Sequence, residues 1–92
     1  MSVRLHVVVP CYNPPSGWEQ ALVAHFLKLS QALGDLVGDL KLIVVNDGSS
    51  RHTTAQNFAY LKEILPAVTV VDYPENRGKG YALRQGVACE HA

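Results

Sequence analysis

The chain has 92 residues, and its 8 Lys and Arg balance its 8 Asp and Glu, so the formal net charge is zero. Without a basic excess, a role that depends on binding nucleic-acid phosphates is disfavoured. The apolar fraction of 48% and the charged fraction of 17% are typical of one small packed globule and exclude a disordered tail.

The first predicted strand covers residues 3–9, a β-branched apolar run that ends at Pro10. A nearly continuous apolar run is typical of a strand buried on both faces in a parallel sheet. Residues 11–17 form a loop by composition, and Ser16 is placed to cap the helix that follows. That helix has an apolar stripe at steps of three and four and ends at Gly34; the stripe comprises Trp18, Leu22, Phe26, Leu29 and Leu33.

The second predicted strand covers residues 40–45 and leads into a turn at 46–50, where Ser49 or Ser50 is placed to cap a second helix. The stripe of that helix comprises Ala55, Phe58, Leu61 and Leu65, before Pro66. A third strand at 68–71, a loop at 74–80 and a third helix at 81–90 complete the order. This alternation predicts an α/β fold with a Rossmann-like parallel sheet and right-handed crossovers.

Several classes of protein are disfavoured by what the sequence lacks. No apolar run approaches the ~20 residues that span a bilayer, and Arg4 and His6 interrupt the only N-terminal candidate for a signal peptide, so we expect a cytoplasmic chain. Cys11 and Cys89 have no Cys-x-x-Cys spacing, and the four histidines have no metal-ligand spacing. A disulfide framework or a zinc site is therefore not expected.

Ligands of open parallel sheets bind at the carboxyl ends of the strands, and three loops leave those ends here, at 10–17, 46–50 and 72–80. In the first loop, the ring of Tyr12 can stack on a nucleobase or pack beneath its own loop. In the second, the carboxylate of Asp47 can accept a hydrogen bond from a ligand or close an Asx-turn with its own backbone. Local sequence leaves both pairs of alternatives open.

The third loop, from Asn76 to Gly80, opens a helix whose N-terminus favours anions. Gly78 and Gly80 permit close approach of the backbone to a ligand, and Lys79 adds positive charge. The dinucleotide pattern Gly-x-Gly-x-x-Gly is broken because Leu83 holds its third glycine position, and no Gly-Lys-Ser/Thr of a Walker motif is present. A diphosphate fits this loop, whereas a dinucleotide-binding or ATPase function is disfavoured.

Three motifs occur in order at the three strand ends: Val-Val-Val-Pro-Cys-Tyr-Asn at 7–13, Val-Val-Asn-Asp-Gly-Ser-Ser at 44–50, and Asn-Arg-Gly-Lys-Gly-Tyr-Ala-Leu-Arg-Gln-Gly at 76–86. Together they resemble the N-terminal, nucleotide-binding portion of a family 2 glycosyltransferase of the GT-A fold, over essentially the whole chain. The resemblance implies a three-layer αβα fold with strand order 3-2-1. The third motif is similar to the version in polyprenyl-phosphate sugar transferases.

The resemblance also implies roles for individual residues. Tyr12 is expected to stack on the base of a UDP- or GDP-linked sugar, and Asp47 to bond the base edge. The implied nucleotide-binding set is Pro10, Tyr12, Asn13, Asp47, Arg77, Gly78 and Lys79. Arg77 and Lys79 are expected near the ribose and phosphates. The family often has Asp-Asp where this chain has Asn46-Asp47.

The family holds Mg²⁺ or Mn²⁺ through an Asp-x-Asp motif, which this sequence lacks. We therefore assign no metal ligand and no catalytic residue to residues 1–92. We expect these residues to be the nucleotide-sugar-binding part of a longer enzyme, incomplete and inactive by themselves. Whether that longer enzyme associates with a membrane is left open. The edge of the first strand, or the third helix, is expected to mediate homo-oligomer formation. The alternative is a non-catalytic nucleotide-binding or interaction module.

Overall fold

A computed structural model describes residues 3–90 of the chain. Seven elements follow one another: β1 (Val3–Cys11), α1 (Trp18–Leu33), a short 3-10 helix (Gly34–Leu36), β2 (Val37–Asp47), α2 (Ala55–Ile64), β3 (Thr69–Tyr73) and α3 (Lys79–Glu90). The sheet is parallel with the order β1-β2-β3, which is the predicted order 3-2-1 counted from the other edge. The predicted α/β fold is confirmed.

Successive side chains of β2 point to opposite faces of the sheet, and helices cover both faces. Leu42 and Val44 pack with Leu61 on the face that carries α1 and α2. Ile43 and Val45 pack with Ala82 of α3 on the other face. Residues 43–45 are completely buried, so β2 is the centre of a three-layer αβα structure.

α3 approaches the sheet closely at Gly86. A Cβ atom added to Gly86 would overlap Cγ1 of Val8 and lie 3.2 Å from Cγ2 of Val45. The absence of a side chain at Gly86 therefore lets α3 lie close to β1 and β2. This close packing places the N-terminus of α3 near the carboxyl ends of the strands.

The strands are longer than the sequence predicted. β1 continues through Pro10 to Cys11, with Pro10 opposite Val45. A proline is tolerated there because β1 is at the edge of the described sheet, where one side of the strand has no ladder to supply. The edge position of the first strand agrees with the prediction, while self-association through it remains a prediction.

The predicted N-terminal caps of α1 and α2 were wrong. α1 begins after Gly17, which has φ 82°, and its N-cap is therefore a left-handed glycine in place of Ser16. α2 begins after Thr54, whose backbone N–H and hydroxyl both contact Oδ1 of Asn57, at 2.8 and 3.0 Å. Ser49 and Ser50 are instead bonded to the first loop. The predicted C-terminal glycine of α1, Gly34, is confirmed.

Candidate functional site

The three strands end side by side, so the loops that follow them meet at one edge of the sheet. Cys11 lies opposite Asn46 in the β1–β2 register, and Asp47 lies opposite Tyr73 in the β2–β3 register. The carboxyl ends of all three strands thus face the N-terminus of α3, in the arrangement in which open α/β sheets bind ligands.

Asn13 and Ser49 join the first loop to the second. Asn13, at φ 42°, donates its N–H to Oγ of Ser49 at 2.9 Å, and its Oδ1 accepts the backbone N–H groups of Ser50 and Arg51 at 2.8 and 3.2 Å. The Ser49 hydroxyl donates to the carbonyl of Cys11 at 3.2 Å. These contacts make Asn13 a bridge between loops, and its side-chain oxygen is engaged within the protein.

Asn46 closes the second turn. Its Oδ1 accepts the N–H of Ser49 at 3.2 Å, and its Nδ2 donates to Oδ1 of Asp72 at 3.0 Å. The local turn that the sequence left open for Asp47 is therefore made by the neighbouring Asn46.

Asp47 is buried, with 3% of its surface exposed, and it binds the third loop. Oδ1 accepts the Tyr73 hydroxyl at 2.6 Å and the N–H of Arg77 at 2.9 Å. Oδ2 accepts Nδ2 of Asn76 at 2.8 Å and the N–H of Gly78 at 3.0 Å. An ionised carboxylate has about four acceptor positions, and these four donors fill them.

These contacts shift the pKa values of Asp47 and Tyr73. Burial by itself raises the pKa of Asp47, but the hydrogen bonds from Tyr73, Arg77 and Gly78 stabilise the charged form and leave the pKa below its usual value. Burial, followed by the hydrogen bond to Asp47, raises the pKa of Tyr73. The pair therefore holds a carboxylate and a neutral phenol at physiological pH.

Gly48 brings the second loop against the third. It has φ 65°, and a Cβ atom there would overlap the backbone of Asn76 and Glu75. Both the backbone angle and the close approach require glycine. The Asp47-Gly48 pair thus fixes the third loop by a carboxylate on one side and by direct backbone packing on the other.

A cavity of about 380 Å³ opens between the first and third loops. Tyr12, 56% exposed, is on its rim, which excludes a ring packed beneath its own loop. The cavity is lined by Pro10, Cys11, Tyr12, Asp47, Asn76, Gly78 and Lys79. Five of the seven predicted binding residues are thus brought together, while Asn13 and Arg77 are outside the lining.

The two predicted cations of the third loop have different surroundings. Lys79, the first residue of α3, lines the cavity. The Arg77 guanidinium forms a 3.2 Å salt bridge with Glu75 and lies 5.6 Å from the ring centre of Tyr81. The positive charge that faces the cavity therefore comes from Lys79 and the helix N-terminus.

Within residues 3–90, no three His, Cys, Asp or Glu side chains come together as a metal-binding group. The carboxylate that lines the cavity, that of Asp47, has its acceptor positions filled by protein donors, so it does not fit the role of a metal ligand.

Sequence reasoning missed Tyr73 and Asn76 as partners of Asp47. The signal for Tyr73 was present in the parallel register, since the last residues of adjacent strands lie together. Asn76 was recognised as part of a motif, but its contact with Asp47 depends on a loop path that spacing alone does not give.

A family model described as glycosyl transferase family 2 matches residues 6–89. The chain belongs to glycosyl transferase family 2. This family-2 chain is similar to dolichyl-phosphate beta-glucosyltransferases from Drosophila melanogaster (37% identity), Homo sapiens (36%) and Trichomonas vaginalis (35%). The matches cover 94%, 91% and 98% of this chain, respectively.

The family-2 chain spans about a quarter of the length of these relatives, at 27%, 26% and 27%. No solved structure matches it. Among the described residues, no helix has the length and apolar character required to cross a membrane.

Proposed function

We propose that this chain supplies the donor-nucleotide pocket of a glycosyltransferase that transfers a sugar from a nucleoside-diphosphate sugar. The cavity at the carboxyl ends of β1 and β2 carries this proposal. It has an exposed aromatic ring on one side and a helix N-terminus with a lysine on the other. An aromatic face suits a base, and a lysine at a helix N-terminus suits a diphosphate.

The proposed roles follow this geometry. Tyr12 stacks on the base, a contact worth roughly 1–3 kcal/mol, above the wall that Pro10 forms. Gly78 and Lys79 approach the phosphates. Asn13 supports the rim by joining it to the second loop. Arg77 reaches the ribose or phosphates only if its side chain leaves Glu75 and Tyr81.

A direct hydrogen bond between Asp47 and a base requires a free acceptor position on the carboxylate. Because its acceptor positions are filled, a base N–H bonds this carboxylate only by replacing one of the four present donors.

The acceptor and sugar are proposed from the relatives. Their names specify glucose transfer to dolichyl phosphate, and we extend this to a longer protein containing these 92 residues. Residues 1–92 then form an incomplete unit, with the acceptor site and the chemical step elsewhere. Family 2 enzymes commonly use a divalent metal, whose ligands we place outside the described residues.

We also propose self-association of the isolated chain. The outer edge of β1 has no neighbouring strand among the described residues, and Leu5 on that strand is 37% exposed. A cleft of about 340 Å³ on α3 is lined by Leu83, Val87 and Ala88 together with Arg84. Sedimentation at increasing concentration is expected to show a dimer or larger assembly; a strict monomer contradicts this part of the proposal.

Calorimetric titration with UDP and GDP tests the pocket. We expect binding of one of the two nucleotides, lost in Tyr12→Ala and in Asp47→Ala. Tyr12→Phe is the matched control because it keeps the ring and removes only the hydroxyl. Full binding by both alanine variants, or no binding by the unaltered chain, contradicts the proposed pocket.

A further inference from the structure

Asp47 connects two parts of the protein, the end of the central strand β2 and the loop that leads into α3. Its four hydrogen bonds reach Tyr73, the last residue of β3, and three consecutive residues of the loop, 76–78. Two of those donors are backbone N–H groups. The carboxylate therefore fixes the path of the main chain at the point where it reaches the cavity.

Tyr73 is itself held in place. It is opposite Asp47 in the parallel register, and its ring packs edge-on against Tyr81 of α3, with ring centres 5.3 Å apart and planes at 90°. The guanidinium of Arg77 lies on the Tyr81 ring. The Tyr73 hydroxyl thus bonds the Asp47 carboxylate from a side chain that packs against the first turn of α3.

Asn76 completes the arrangement from the loop side. Its Nδ2 donates to Oδ2 of Asp47 and also to the Asp47 carbonyl, at 2.8 and 3.1 Å. Its backbone lies against Gly48. Gly78 and Lys79, two and three residues further along the chain, line the cavity together with Tyr12.

We infer that Tyr73 and Asn76 are positioning residues of the nucleotide site, which act by holding Asp47 and, through it, the backbone of residues 76–78. This inference rests on the proposed function for its ligand. Removal of either donor is expected to loosen the loop, so that Gly78 and Lys79 face Tyr12 for a smaller fraction of the time. The sheet itself is unaffected.

Two measurements on the full chain separate positioning from general stability. Amide hydrogen exchange of Arg77 and Gly78 reports on the loop without any nucleotide, and urea unfolding reports on the whole fold. Tyr73→Phe is compared with Tyr60→Phe, which removes a hydroxyl from α2 on the opposite face of the sheet. Asn76→Ala, a change at an exposed residue, is compared with Gln56→Ala, at an exposed position of α2.

We expect exchange of the two amides to accelerate about tenfold in Tyr73→Phe and in Asn76→Ala, as for loss of a hydrogen bond to a charged group. The affinity for whichever of UDP or GDP the unaltered chain binds is expected to fall severalfold, with little change in the denaturant midpoint of Asn76→Ala. The two control variants should leave exchange and affinity unchanged.

Unchanged exchange at Arg77 and Gly78 in both variants overturns the positioning role, whether or not a nucleotide binds. Accelerated exchange with unchanged nucleotide affinity overturns the link between the loop and the site. If the unaltered chain binds neither UDP nor GDP, the proposed function fails and the link to a ligand fails with it. The exchange rates then decide separately whether Tyr73 and Asn76 hold the loop.

Discussion

The Tyr73 hydroxyl donates a 2.6 Å hydrogen bond to Oδ1 of Asp47, joining the ends of two adjacent parallel strands. The buried carboxylate at this junction also binds the third loop, which leads into α3. A single side chain therefore couples the sheet to the wall of the candidate nucleotide cavity. The stability of the fold and the shape of the cavity depend on the same group.

Asp47→Asn is expected to lower the free energy of unfolding by about 2 kcal/mol near neutral pH, because an amide nitrogen would face N–H donors in a buried site. The folded-state pKa of Asp47 is depressed, so its stabilising contribution is complete above the unfolded value of 3.8 and is lost as pH falls through the lower folded value. The difference between the two proteins should therefore narrow below about pH 4.

Urea unfolding near neutral pH and in acid measures this difference. Asp35→Asn, which neutralises an exposed carboxylate of the short 3-10 helix, is the control and should change stability by less than about 0.5 kcal/mol. An Asp47→Asn deficit that stays constant into acid would show that the carboxylate charge is not what stabilises the loop.

Gly48→Ala is expected to destabilise the fold by well over about 1 kcal/mol, since it adds an overlap with the Asn76 backbone to the cost of a positive φ. Gly34→Ala is the matched control because Gly34 also has a positive φ, 51°, but faces open space. The excess loss in Gly48→Ala measures the loop contact. Equal losses in thermal or urea unfolding would contradict close packing of the second and third loops.

Two helical glycines of α3 should respond in opposite directions to alanine. Gly86→Ala forces a methyl group against Val8 and should cost about 1–3 kcal/mol. Gly80→Ala meets only the flexible Arg84 side chain, at 3.6 Å, and should stabilise the helix by about 0.5–1 kcal/mol. A neutral or stabilising effect of Gly86→Ala in urea unfolding would show that α3 lies farther from β1.

The Cys11 thiol should be unreactive although it lines the cavity. Burial raises its pKa to about 11, opposed by a hydrogen bond with Ser49, so little thiolate exists near neutral pH. In a Cys89→Ser background, labelling by a thiol reagent should be about a hundredfold slower in the native chain than in urea, from the difference in thiolate fraction. Similar native and denatured rates would contradict a buried, protonated thiol.

The alternating sequence pattern predicted the fold because each element has a strong local signal. The apolar runs of β1 and β2 and the stripes of α1 and α2 determine which faces are buried. The ends of elements were harder to predict, since Gly17 and Thr54 took the capping positions that Ser16 and Ser49 could have filled. Several residues near each helix start can cap it, and loop packing decides among them.

The sequence predicted where the candidate site lies, but it did not predict all of the contacts within it. Strand-end motifs brought Tyr12, Asp47 and Lys79 to one cavity, as expected from parallel topology. The parallel register could have placed Tyr73 beside Asp47, but the contact with Asn76 was not predictable, because it depends on the path of a loop between residues 29 positions apart. The separation of Arg77 from the cavity has the same origin, in contacts with Glu75 and Tyr81.

An NMR titration of the chain with UDP and with GDP, followed at every backbone amide, tests the nucleotide pocket most directly. We predict that one nucleotide shifts a contiguous set of amides around the cavity, those of Tyr12, Asp47, Gly78 and Lys79, and leaves α2 unchanged. No saturable shifts with either nucleotide, or shifts centred on the Leu83–Val87 face of α3, would contradict a donor-nucleotide pocket at the carboxyl ends of the strands.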